Sequence, residues 1–198
     1  MLAVREGAVE EEPSCDEVLE HLFIANQAFA HSRQLIKDHK IKAILCLTQT
    51  QNPNQEILQR RRVHLLQLCV QDVKTENIYD HFQPCCDFIY SHVQQNHNVL
   101  VHCHQGTSRS VAVLIAFIMH KQRWTLRTAF QFVLDQRKST SPPSHPNSGF
   151  LMQLVRWEKK LGLCPETGPS LEFLEYAREA HRQWSGRNRG PCAKERDD

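Results

Sequence analysis

The sequence predicts an α/β fold in which a mostly parallel central sheet is flanked by helices on both faces. Three observations carry that prediction: three short aliphatic runs, helical patterning in the stretches between them, and a length of 198 residues, enough to bury a core without disulfide staples. The runs are IKAILCLTQ (41–49), VHLLQLCVQ (63–71) and NVLVHC (98–103). Each is apolar enough for a strand covered on both sides. Strands that alternate with helices favour parallel pairing, because a parallel neighbour is reached only through a crossover.

In chain order, residues 1–17 are acidic and poorly patterned and read as an N-terminal extension. The single domain expected over 18–162 then opens with an apolar stretch, a helix over 28–39 and the strand 41–49. The second strand, 63–71, is followed by a helix over 76–95, the third strand, 98–103, and a helix over 109–121. Thr125 can cap a helix running to Arg137, and Ser148 one running to Leu161. Between these lies KSTSPPSHPN (138–147), whose Pro142, Pro143 and Pro146 forbid regular helix and predict a semi-rigid surface loop. Residues 163–198 read as a charged, Gly- and Pro-containing tail. Its partial stripe of Leu171, Leu174, Tyr176 and Ala177 suggests a helix packed back on the body.

Lys and Arg number 24 against 22 Asp and Glu, a formal charge of +2, which argues against a dedicated nucleic-acid binder. The 8 cysteines show no small-secreted-domain framework, and the N-terminus carries three consecutive glutamates in place of an apolar signal core. Leu2 stands where myristoylation needs glycine, the sequence closes on AKERDD, and the longest apolar run, 111–119, is too short to span a bilayer. A soluble protein of the cytoplasm or nucleus with reduced thiols is the expectation. His102, Cys103 and His104 lie side by side, but strand alternation points neighbours apart and zinc-like spacing is missing, so neither metal nor cofactor is expected.

Chemistry concentrates where NVLVHC ends, since ligands of parallel sheets sit beyond the carboxyl ends of strands. There Cys103 is followed by His104, Gln105, Gly106, Thr107 and Ser108, then by Arg109, Ser110 and an apolar helix. A tight turn into a helix, with Gly106 free to take positive φ, aims successive amides inward as a nest for a phosphate-sized anion. Arg109 adds a planar fork for two phosphoryl oxygens. The same positive field stabilises the thiolate of Cys103, a nucleophile near neutral pH.

HCHQGTSRS resembles the Cys-x5-Arg loop of the protein tyrosine phosphatase superfamily, in the HCxxGxSRS form of the atypical dual-specificity phosphatases. The resemblance spans roughly 18–161. VLEHLFIANQAFAHSRQLIKDHKIKAILCLT is similar to that family's opening strand, helix and second strand, with Ala25 where glycine is usual. VQDVKTENIYDHF resembles its acid loop, and HPNSGFLMQLVRWEKKLG its closing helix. The resemblance implies a three-layer phosphatase architecture and a phosphorylated protein substrate hydrolysed through a phosphocysteine intermediate. Phosphotyrosine is the expected substrate, with phosphoserine and phosphothreonine admitted by a shallow cleft. Cys103 would be the nucleophile, Arg109 and the loop amides the binders of phosphoryl oxygens, Asp72 the general acid and base, and Ser110 the hydroxyl that helps the thiolate leave. His102 and Asn147 would brace the loop.

Several readings stay open at this point. Glu76 and Asp80 rival Asp72 as the acid. His104 is expected at the pocket rim, and the Arg60, Arg61, Arg62 run on a solvated face. Cys46 or Cys69 could pair with Cys103 on oxidation, though core packing is the simpler role for both. A phosphoprotein-binding module without turnover, and a phosphatase of RNA 5′-phosphates or phosphoinositides, remain alternatives. The phosphoinositide reading is disfavoured by the lack of lysine in the loop. Oligomeric state is left open.

Overall fold

A computed structural model describes residues 11–138, 144–163 and 175. Its elements run β1 (Cys15–Leu19), β2 (Leu22–Ala25), α1 (Gln27–His31), α2 (Arg33–Asp38), β3 (Ile41–Cys46), α3 (Gln55–Arg60), β4 (His64–Gln67), α4 (Tyr79–Val93), β5 (Asn98–His102), α5 (Arg109–Gln122), α6 (Leu126–Gln136) and α7 (Ser148–Lys160). The described strands form one sheet in the order β1-β2-β5-β3-β4. β2, β5, β3 and β4 are mutually parallel, and β1 is an antiparallel edge. This is the α/β class the sequence predicts.

Strand alternation sends side chains to two cores. Ala43, Leu45, Val99 and Val101 join the larger one, under α4 to α7, while Ile41, Ile44 and Leu100 join the smaller one beneath α1, α2 and α3. α5 is buried continuously from Ser110 to Met119 and packs against α4, α6 and α7, so its apolar sequence has no polar face to keep. None of the described helices is long and apolar enough to cross a membrane.

The structure departs from the sequence reading in five places. The helix expected over 28–39 is two helices broken at Ser32, which closes α1 and whose hydroxyl accepts from Leu35 N–H to start α2. The strands stop at Cys46 and Gln67, so 47–49 and 68–71 belong to loops at the sheet's carboxyl edge. α3, which carries Arg60, was not expected; Arg60 to Arg62 are exposed, as predicted. The N-terminal extension is not wholly an appendage, because β1 begins inside it and pairs Asp16 with Ile24. Finally, the end of the proline-rich stretch is no surface loop: Ser144, His145 and Asn147 are buried. The tail stripe from Leu171 to Ala177 lies outside the described residues.

Candidate active site

Strand β5 ends at His102, and the six residues that follow, 103–108, turn through a loop into α5. Gly106 takes φ +73°, a left-handed conformation that favours glycine, and a Cβ there would lie 2.7 Å from the Ala25 carbonyl oxygen. The carbonyls of the loop are held from its outer side. Gln27 N–H donates to His104 O (2.8 Å), Arg137 Nη2 to Gly106 O (3.0 Å), and His145 N–H to Thr107 O (2.7 Å). With carbonyls pinned outward, the intervening amides turn to the concave side, which is the geometry of an anion nest.

Ser108 occupies the N-cap of α5 without capping it. Its hydroxyl donates instead to Asp72 Oδ1 (2.7 Å), leaving the first-turn amides of a fourteen-residue helix for an anion. Arg109 Nη1 is fixed by the carbonyls of Val70 (3.0 Å) and Leu47 (3.2 Å). Its Nε is buried, has no hydrogen-bond partner among the described residues and stands 3.7 Å from Asp72 Oδ2. A buried donor left unmade is costly, so the fork is set for an oxyanion.

Cys103 is buried, with Sγ 3.3 Å from Ser110 Oγ. Asp72 Oδ1 also accepts from Asn147 Nδ2 (2.9 Å), so one carboxylate oxygen is tied while Oδ2 faces Arg109. The structure thus brings Cys103, Arg109, Ser110, Asp72 and Asn147 together. Of the rival acids, Asp80 accepts from Asn77 Nδ2 (2.7 Å) in the first turn of α4, and Glu76 is held through its backbone carbonyl.

Other expectations are sharpened. Buried His102 is wholly shielded, and burial pushes its imidazole down to about 4, so it is neutral at physiological pH. Its Nδ1 contacts the adjacent Cys103 carbonyl (3.2 Å), bracing the floor of the loop and not its far side. His104 and Gln105 are exposed on the rim. Cys46 pairs in register with His102 and is buried, which pushes its thiol up, while Cys69 is exposed.

Three residues that support the loops are not singled out by the sequence. Arg137 anchors Gly106, Gly149 admits the acid loop, and Gln153 clamps it. A Cβ on Gly149 would lie 1.9 Å from the Lys74 carbonyl oxygen. Gln153 Nε2 donates to Glu76 O (2.8 Å) and its Oε1 accepts from Tyr79 N–H (2.8 Å). A glycine in the first turn of an amphipathic helix was the available signal for the second.

The site is a cysteine thiol at the base of an oxyanion-binding loop, with an arginine fork and a carboxylate across the cleft. The chain belongs to the family described as the dual specificity phosphatase catalytic domain, whose model matches residues 22–160. Dual specificity protein phosphatase MPK-4 of Drosophila melanogaster is 35% identical over 141 residues, which is 71% of this chain; the chain spans 35% of that relative's length. The crystal structure of human DUSP28 superposes with TM-score 0.68 at 28% identity, covering 78% of this chain and 99% of the other. A mouse putative dual specificity phosphatase complexed with zinc tungstate gives 0.65 at 29% identity, covering 84% and 99%.

Proposed function

We propose that the chain is a phosphatase of phosphorylated proteins, cleaving phosphotyrosine and also phosphoserine and phosphothreonine through a phosphocysteine intermediate. The carrying observation is that the Ser108 hydroxyl and Asn147 amide hold Asp72 against the same loop that surrounds Cys103. Phosphate entering the nest would take the free donors of Arg109, turning that fork from Asp72 toward the substrate. The Cys103 thiolate then attacks phosphorus as the ester P–O bond breaks, and Asp72 gives its proton to the departing oxygen. In the second step water attacks phosphorus, Asp72 takes its proton, and the P–S bond breaks to release phosphate. The Ser110 hydroxyl, 3.3 Å from Sγ, donates to the leaving thiolate. Tungstate is a phosphate-sized oxyanion, so its presence with a structurally similar mouse protein agrees with this use of the loop.

Hydrolysis of an aryl phosphate by the unaltered chain, Cys103→Ser and Asp72→Asn across pH tests the scheme. Turnover should vanish with Cys103→Ser, and Asp72→Asn should remove the basic limb of the pH profile. Activity surviving Cys103→Ser would sink the phosphocysteine route. Absence of turnover with retained phosphopeptide binding would instead identify a binding module. A parallel panel of phosphopeptides, phosphoinositides and 5′-phosphorylated RNA fixes the substrate class.

A further inference from the structure

The family match begins at residue 22, yet the segment before it reaches the back of the phosphate loop. Asp16, in β1, lies 2.7 Å from Arg137 Nη1, with side-chain exposures of 10% and 1%. That guanidinium spends its other donors on Gly106 O (3.0 Å), Ser144 Oγ (3.1 Å) and Ile24 O (3.4 Å). One buried cation therefore ties the N-terminal strand to the glycine that must hold a left-handed turn.

A second route runs in parallel. Asn26 accepts from Ser14 N–H (3.1 Å) and donates to Glu12 O (2.8 Å), while the same Oδ1 caps α1 through Phe29 N–H (3.0 Å). α1 begins at Gln27, whose N–H holds His104 O. Residues 12–16 thus support two of the carbonyls whose outward orientation turns the loop amides inward.

We propose that Asp16 is a positioning residue for phosphate binding: its carboxylate fixes Arg137, and Arg137 fixes the Gly106 carbonyl, so the segment ahead of the family domain is part of the catalytic apparatus. Burying a guanidinium against neutral carbonyls alone is costly, and the carboxylate is what makes that position tenable. Losing it frees Arg137 to swing toward water and lets the Gly106 peptide rotate, which removes an amide from the nest. Cys103, Asp72 and Ser110 stay in place. The consequence falls on anion affinity more than on the chemical steps.

This inference rests on phosphate occupying the loop, and its test reads binding separately from turnover. Inorganic phosphate binding to the full chain is measured by calorimetry alongside aryl phosphate kinetics. Asp16→Asn should weaken phosphate binding and raise KM by roughly tenfold, the effect of one charge-assisted contact, with a smaller change in kcat. Because Asp16→Asn strands a buried charge, Asp16→Asn/Arg137→Met is made beside it, removing the cation as well. That pair should fold and still bind phosphate about tenfold more weakly, since Gly106 O is no longer held. Unchanged phosphate affinity and KM in either folded variant would overturn the inference. An unaltered chain that binds no phosphate at all would overturn the phosphatase proposal with it.

Discussion

The phosphate loop and the acid loop meet over the same cleft but are held by opposite means. Residues 103–109 are anchored through their own backbone, carbonyl by carbonyl, at His104, Gly106 and Thr107. The segment from Val70 to Ile78 is held chiefly by α7, through Asn147 to Asp72, Gln153 to Glu76 and Tyr79, and the gap that Gly149 leaves for Lys74. The phosphate loop is held by Gln27, Arg137 and His145, and the acid loop chiefly by α7, more than 70 residues from it. The two loops therefore have largely different anchors, joined at Ser108, and can be perturbed separately.

Gly106→Ala gives the largest expected effect. The added Cβ meets the Ala25 carbonyl at 2.7 Å and Arg137 Nη2 at 3.1 Å, and φ +73° is strained for any L side chain. Misdirecting the oxyanion donors lowers kcat/KM by roughly 10³-fold, and phosphate affinity falls with it. Gly149→Ala breaks the other half. A carbon 1.9 Å from Lys74 O displaces the acid loop, so kcat drops about a hundredfold, within the range for a lost general acid, while calorimetry finds phosphate affinity unchanged. Equal losses of binding in both variants would erase the distinction between the two loops.

Stability at acid pH belongs to the phosphate-loop side. Burial pushes His102 down to about 4, and folding therefore prefers its neutral form. The stabilisation is complete above the unfolded value near 6.5 and is lost as pH falls from there toward 4, a loss of roughly 2 kcal/mol at pH 5. His31 and His92 shift downward for the same reason and add to it. Urea unfolding at pH 7 and pH 5 measures the loss, and His102→Asn should flatten it.

The same contrast explains what was legible in the sequence. Cys103 to Ser110 could be read because one loop holds nucleophile, glycine, arginine and hydroxyl in fixed order, and the core strands because aliphatic runs announce them. Arg137 could not, since its partners Asp16 and Gly106 lie 121 and 31 residues away and only folding brings them together. The break at Ser32 was hidden because a capping serine leaves the helical apolar pattern intact on both sides. β1 was hidden by its acidic residues, of which Glu17 is exposed on an edge strand while Asp16 turns in to a cation. Asp72 stands out among its neighbours through resemblance and its place after a strand; its contacts with Ser108 and Asn147 are visible only in space.

Asn147→Ala is the smallest of the expected effects and the sharpest probe of the comparison. Asp72 Oδ1 receives two donors, one from each support: Ser108 at 2.7 Å from the phosphate loop and Asn147 at 2.9 Å from α7. Removing the amide leaves the hydroxyl in place, so the carboxylate is loosened but not released. The fall in kcat should be about tenfold, matching one hydrogen bond to a charged group. Asn147 also caps α7 through Phe150 N–H (3.0 Å), so Asn147→Ser, which keeps the cap but shortens the reach to Asp72, separates the two roles. It should retain stability and still lose kcat. In a double-mutant cycle with Ser108→Ala the losses should exceed additivity, because the second removal leaves Oδ1 with neither donor. Strictly additive losses would mean that the two supports act on Asp72 independently, and no loss in either single variant would leave the acid placed by Gly149 and Gln153.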